Sequence, residues 1–320
     1  MARNKGEYRD PGLCTYGTRY LQKQYSALLR EAEGARTGDD RGHVHRMRVA
    51  SRRLRAALPV FAPCFPGKRY REWSRAIRAI TSSLGRARDL DVQIAFLEDY
   101  LAKKGDDGTS ASRTSPGSAP DFSGVESLLA YLRDERALLQ PGIEEITGVF
   151  SGDGILAGFL DELSRGRKRE KKKEVSLQKE AARRVRRRRA ALLAYEPFIR
   201  EPGAIDQHHA MRIAAKKLRY TMEIFNAACT GSFKKPIRAL RTLQDILGEM
   251  HDCDVWIAAL QTDGNQGEGG SGGIPARFRS GPGIADLVLE RKQERERLYR
   301  RFVRFWESPR REQVAGEMPR

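Results

Sequence analysis

From residue 45 to residue 61 the chain reads HRMRVASRRLRAALPVF, and from 209 to 225 it reads HAMRIAAKKLRYTMEIF; the two stretches align without a gap. At about 100° per residue, Met47, Ala50, Leu54, Leu58 and Phe61 fall within roughly a quarter of a helix circumference,. His45, Arg48, Arg52 and Arg55 fall on the opposite strip. The second stretch repeats this, with Met211, Ala214, Leu218, Met222 and Phe225 set against His209, Arg212, Lys216 and Arg219. Each stretch therefore predicts a helix with one face for a core and one cationic stripe. Cations spaced along one helix face repel each other. A single such stripe is most simply a solvated surface, but its duplication argues that the positive surface is itself the product.

The rest of the pattern is also helical. Residues 14–33 predict a helix with Leu21, Leu28 and Leu29 as core candidates, and a turn follows at Thr37–Asp40. The first motif helix, about 42–62, ends in the Pro-rich APCFPG. A third helix starts near Lys68 with Trp73, Ile77, Ile80 and Leu84 on one side, and a fourth covers roughly 123–149. Between them, residues 105–121 have linker composition,. The pattern then restarts. A long charged helix is predicted over 155–196, the second motif helix over about 204–228, and another helix from Phe233. A Gly-rich linker spans 262–283, and a last helix runs to about Trp306. No strand pattern is evident. The expectation is an all-α fold of eight helices in two four-helix halves related by duplication.

A second signature recurs on the third helix of each half. Leu84-Gly85-x-x-Arg88-Asp89-x-Asp91-Val92 corresponds to Leu247-Gly248-x-x-His251-Asp252-x-Asp254-Val255. Upstream, Arg71, Arg75 and Arg78 correspond to Lys234, Arg238 and Arg241 and share one face. On a continuous helix Asp89 and Asp252 lie on that face and can pair with the cations, orienting them. Asp91 and Asp254 project toward the apolar side, where a buried hydrogen bond or a bridge to the next helix is expected. Each repeated Gly either lets helices approach or marks a bend. On the first helices, Arg19 and Lys23 align with Arg183 and Arg187, so these cations are further candidates for the same surface.

Charge sharpens the picture. With 60 Lys and Arg against 42 Asp and Glu, the formal net charge is +18, which attracts polyanions,. The 39% hydrophobic content is enough for a buried core, so a disordered chain is excluded,. Cys14, Cys64, Cys229 and Cys253 form no CxxC pair, so no zinc site or redox motif is indicated,. Four scattered thiols, no apolar N-terminal run and no stretch near the roughly 20 apolar residues of a membrane span point to a cytoplasmic protein,. No residue set asks for a cofactor or a metal.

The doubled motif H-x-M-R-[V/I]-A-x-[R/K]-[R/K]-L-R, followed each time by L-G-x-x-[R/H]-D-x-D-V, resembles the CHAD family, the conserved histidine α-helical domain. The resemblance covers roughly residues 12–308. It implies two pseudo-symmetric four-helix bundles, the first over 12–150 and the second over 151–308, with 309–320 as a loose tail,. It further implies a basic groove or pore that binds inorganic polyphosphate, and a location at polyphosphate granules. Family members often follow a triphosphate-tunnel domain; this chain has no room or acidic strand pattern for one and looks like a stand-alone version. It departs from the pattern in using His251 at the place of Arg88, and Lys216 and Lys217 where the first half has Arg52 and Arg53. Both changes keep donors but weaken bidentate recognition.

These residue types suit that ligand. A flexible chain of phosphates without bases needs many donors along a track. Arg forks onto two oxygens, Lys acts as a point charge, and a nearby phosphate chain favours the charged form of His45 and His209. Neither cationic stripe interleaves aromatic residues with its charges, so stacking platforms for bases look sparse. Two other classes stay open. The run RRVRRRR at 183–189 fits a nucleic-acid binder,. A phosphotransferase using His45 or His209 as nucleophile, or a metal-dependent phosphohydrolase using Asp89, Asp91, Asp252 and Asp254, is the enzymatic alternative. Oligomeric state and chain-length preference leave no trace in the sequence.

Overall fold

The computed structural model describes residues 12–38, 40–111, 121–150, 154–166, 176–229, 232–261 and 274–315. Among them there is no strand, and the fold is all-α. The first half contains α1 (Leu13–Thr37), α2 (Arg41–Phe61), α3 (Gly67–Ala111), α4 (Ser123–Ala137), α5 (Gln140–Thr147) and α6 (Phe159–Gly166). The second contains α7 (Leu177–Leu193), α8 (Ile205–Phe225), α9 (Lys234–Gln261), α10 (Ile284–Glu307) and α11 (Arg310–Ala315). Neighbours in sequence pack as neighbours in space, α1 on α2, α2 on α3 and α3 on α4, then α7 on α8, α8 on α9 and α9 on α10.

Local chemistry sets the ends. The Asp40 carboxylate accepts from the Gly42 amide at 2.7 Å and caps α2, satisfying one of the amides a helix start leaves open,. Gly38 closes α1 at φ 75°, a left-handed conformation that glycine adopts without strain, and its amide returns to the Gly34 carbonyl,. Both motif helices bury the faces the sequence assigns to a core. Met47, Leu54 and Phe61 on α2 and Leu218 and Phe225 on α8 have no exposed surface.

One apolar cluster runs through both halves and includes those faces. A second joins their far ends: Ile94 and Leu97 of α3 and Val125, Leu128 and Leu132 of α4 pack with Trp256 and Leu260 of α9 and Ile284 and Leu287 of α10. There Gly124 meets the backbone of Gly281, and a Cβ on Gly124 would come within 2.6 Å of it. The Tyr16 hydroxyl of α1 also donates to the Ile224 carbonyl of α8. The halves are thus joined at two places, with α2 and α8 facing each other between them.

Several expectations are corrected. The long helix predicted over 155–196 is not continuous: Ser176, in a non-helical conformation, caps the start of α7, and residues 167–175 before it lie outside the described residues. Phe159 of α6 packs on Tyr25 and Trp73, and the Leu156 carbonyl accepts from the Tyr25 hydroxyl. The first half therefore extends past the boundary expected at residue 150. The single helix predicted over 123–149 is interrupted between α4 and α5. Helix α3 continues to Ala111, into the predicted linker; residues 112–120 and 262–273, the remainder of that linker and most of the second, lie outside the described residues. The segment expected as a loose tail from 309 forms α11, because Val314 is buried and Arg311 pairs with Glu196; residues 316–320 lie outside the described residues. Cys14 and Cys64 are joined by a disulfide across 50 positions, tying the start of α1 to the turn after α2. The expectation of four thiols does not hold, and such a bond persists most readily in an oxidising compartment. Cys229 and Cys253 are not bridged.

Asp91 and Asp254 take the structural role expected of them. The Arg136 guanidinium of α4 donates to Asp91 at 2.9 Å, and the Arg295 guanidinium of α10 donates to Asp254 at 2.9 Å. The Asp91 side chain is 1% exposed, and the Arg41 guanidinium of α2 stands 3.9 Å from the same oxygen. Two outcomes follow from this packing. Leu54→Ala and Leu218→Ala should each lower stability by about 2–5 kcal/mol in urea unfolding, and an unchanged transition midpoint would contradict the assigned faces. Arg136→Met, which leaves the buried Asp91 with only the more distant Arg41, should cost up to about 3–5 kcal/mol,, and Asp91→Asn in the same background should recover part of it.

Candidate phosphate-binding seam

The cationic stripes of α2 and α8 face each other across the middle of the molecule, and α7 closes one side. A pocket of about 350 Å³ opens between the three helices. Arg52, Arg55, Arg183, Arg187, Lys216 and Lys217, all predicted from sequence, line it. Arg184 and Arg188 line it too. Helical spacing alone sets these two off the face of Arg183 and Arg187, but the pocket wraps far enough around α7 to take both flanks of its basic run. Arg184 also reaches the Pro59 and Val60 carbonyls at 3.5 and 3.4 Å, where the last turn of α2 has open acceptors,.

Beside the pocket the two motif helices present matching arginines. Arg48 lies against Gly85 of α3 and Arg212 against Gly248 of α9, each Nε 3.7–3.8 Å from where a Cβ would stand. Both helices run unbroken through these glycines, so neither marks a break. The Nε atoms of Arg48 and Arg212 are both buried without a hydrogen-bond partner. Arg48 touches Asp89 at 3.4 Å. Among the described residues Asp252 has no ion-pair partner, although Arg212 and Lys216 act on it through space. Partial desolvation nevertheless pushes its carboxyl above the ordinary value.

The electrostatics show how closely these groups crowd. Desolvation, and then Arg212, Arg52 and Arg48, push the Lys216 ammonium down to about 7,. His45 is lowered by burial and by Arg88, Arg48, Arg46 and Arg52. His209 is lowered by burial, Arg212 and Lys216. Its Nδ1 lies 3.0 Å from Nδ1 of His251, which burial, Arg212 and His209 push down to about 4. Lowered from an ordinary value already below 7, these histidines are neutral near pH 7, and one of the facing nitrogens carries a proton toward the other,.

Other predicted residues are elsewhere. Arg219 is held by Gln244 and Glu223, and Arg241 by the same Glu223. Arg53 stands near Tyr20. Arg71, Arg75, Arg78, Lys234, Arg238, Arg19 and Lys23 are exposed on their helices and do not line the pocket. Arg71, Arg75 and Arg78 share their face with Gly85, which backs Arg48, so they extend the basic surface away from the pocket,. An aromatic residue was missed: Tyr220 lines the pocket, with Arg52 5.6 Å and Arg219 4.7 Å from its ring centre. It is adjacent in sequence to Arg219, so its type was visible but not its direction. Among the described residues, no three His, Cys, Asp or Glu side chains converge as a metal site, and no helix is long and apolar enough to cross a membrane.

Comparison with known proteins agrees with this architecture. The crystal structure of the CHAD domain from the plant Ricinus communis superposes with a TM-score of 0.60 at 18% identity, covering 100% of this chain and 98% of that one. PptA from Streptomyces chartreusis superposes with a TM-score of 0.58 at 14% identity, covering 93% and 100%. At such identities the likeness speaks for the fold alone. No curated protein matches. The CHAD domain family matches residues 19–261, spanning both motif helices and both copies of the second signature. With that match over most of its length, the chain belongs to the CHAD domain family.

Proposed function

We propose that the chain binds inorganic polyphosphate along the seam between α2 and α8, and does so without chemistry of its own. The observation that carries this reading is the pair of buried, unpartnered Nε donors on Arg48 and Arg212, set beside a pocket that eight cations line. An unsatisfied buried donor costs free energy, and gathered cations repel each other. A chain of phosphates would answer the repulsion, giving acceptors to the outer guanidinium nitrogens and countercharge to the seam. Its length would let one ligand engage both halves. Other polyanions would compete at the same surface, and stored polyphosphate is where such a receptor would collect.

The geometry favours a receptor over a catalyst. Of the four carboxylates a phosphohydrolase would use, Asp91 and Asp254 are committed to Arg136 and Arg295, on the far side of their helices from Asp89 and Asp252,. Among the described residues, neither His45 nor His209 has a carboxylate to orient it as a nucleophile; the partner of His209 is another histidine.

Binding should weaken with salt at a log–log slope between about −3 and −6, by analogy with single-stranded nucleic acid at roughly −0.7 per neutralised phosphate. Arg52→Gln should make the slope shallower by somewhat under one. Arg186→Gln, exposed and facing away from the pocket on α7, should change it less. Arg48→Glu with Arg52→Glu should abolish binding with far-UV circular dichroism unchanged. Retained affinity in that folded double variant, or equal slopes for the two Gln variants, would place the ligand elsewhere. Competition by single-stranded and duplex nucleic acid at one salt concentration separates the two polyanion classes.

Lys216 gives the reading a pH dependence. A bound polyanion raises its pKa from about 7 toward the ordinary lysine value, so binding takes up a proton above pH 7 and affinity falls as pH rises from there. Titration calorimetry at pH 8 in buffers of different ionisation enthalpy should detect the uptake, and Lys216→Met should reduce it. The same shift affects stability with a definite sign. Between pH 7 and the ordinary lysine value of 10.5, the unfolded chain holds the Lys216 proton and the folded chain does not, so stability rises with pH on this group. Lys216→Met should thus be more stable than the parent below pH 7, with the gap closing toward pH 10.5.

A further inference from the structure

Inorganic polyphosphate has no apolar surface, yet one wall of the pocket is apolar. Ala56, Pro59 and Val60 of α2 and Ile213 of α8 line it beside Tyr220. Ile213 remains 36% exposed, an aliphatic side chain open to water within a cationic helix face. Nothing in phosphate recognition uses it. At about 350 Å³ the pocket falls within the roughly 300–1,000 Å³ of small-molecule sites, which combine apolar lining with a few convergent polar groups. The Arg52 guanidinium lies over the Tyr220 ring, so a planar cation and an aromatic ring form a ledge on which a flat heterocycle can stack,. Lys216 lines the same pocket and is coupled to Arg48 and Arg212, so the ledge continues directly into the phosphate track.

We propose that this pocket takes the nucleoside end of a nucleoside polyphosphate. The base sits against Ile213, Pro59 and the Tyr220–Arg52 ledge, and the phosphates run onto Lys216, Arg48 and Arg212. A flat, weakly polar ring joined covalently to a chain of phosphates has both chemistries the pocket displays, in the order it displays them. The inference rests on the polyphosphate reading of the seam and adds to it a preference for ligands capped by a base.

The test is calorimetric titration, at one salt concentration and without divalent cations, of adenosine and guanosine triphosphate against inorganic tripolyphosphate. The proteins are the full chain, Ile213→Ser and Tyr220→Leu, each checked for folding by circular dichroism. The inorganic ligand has the same number of phosphates and at least as much charge, so charge alone makes it bind as tightly or tighter. The expected result is the reverse: at least one nucleoside triphosphate binds about five-fold tighter or more, the low end of base–aromatic stacking. The ratio of the two affinities should fall toward one in Ile213→Ser and in Tyr220→Leu. Nucleoside triphosphates binding no tighter than tripolyphosphate would overturn the inference and leave the polyphosphate reading intact, as would a ratio that survives both substitutions. Failure of tripolyphosphate and long polyphosphate alike to bind would overturn the polyphosphate reading, and this inference with it.

Discussion

Like charges crowded into a half-dry seam repel one another, and the rest of the fold has to hold that seam closed. Arg48, Arg52, Arg212 and Lys216 act on each other across the line where α2 meets α8. Asp89 and Asp252 are the carboxylates that act on these cations. The opposing force is apolar. Each motif helix buries its other face completely, and the far ends of the halves are joined through a second cluster of aliphatic and aromatic side chains. Burial of this kind is non-directional and strong per residue, so it can fix two helices in place while their facing sides repel.

The carboxylates are divided between two tasks. Asp91, Asp254 and Glu223 are each bonded to arginines that tie one helix to another or to its own next turn. The arginines they hold, Arg136, Arg295, Arg219 and Arg241, have their charge answered inside the protein. The seam cations are answered only in part, and burial, with Arg212, Arg52 and Arg48 adding to it, pushes Lys216 down to about 7. A surface with such a deficit is organised differently from a uniformly basic one, where every cation has water and salt around it.

Much of this was legible because helical periodicity fixes faces. The apolar strips of both motif helices, the cationic strips opposite them, and the inward direction of Asp91 and Asp254 all follow from counting residues. Periodicity says nothing about which neighbour a stripe meets. Arg219 shares the stripe of Lys216, yet Glu223 and Gln244 claim it, and that competition depends on α9. Arg184 and Arg188 lie a hundred degrees around α7 from Arg183 and Arg187, but a concave pocket receives both flanks of the helix. Tyr220 and the His209–His251 contact likewise depend on the approach of a second element. The break before α7 escaped notice because 155–196 is helical in composition throughout, while the packing of Phe159 on Trp73 and Tyr25 is a tertiary choice. The Cys14–Cys64 bond joins positions too far apart in sequence for spacing to pair them.

The two Asp–Arg bridges that tie α3 to α4 and α9 to α10 have a bearing on how such a chain can change over generations. Losing one member alone leaves a largely buried charge short of its nearest partner, a change more damaging than replacing both with apolar side chains,. Each bridge therefore tolerates replacement best as a unit, both members together. The exposed cations of α3 and α9 face no such barrier and can be traded one at a time. The charged surface of this chain can thus be altered at little cost to the joints between its helices.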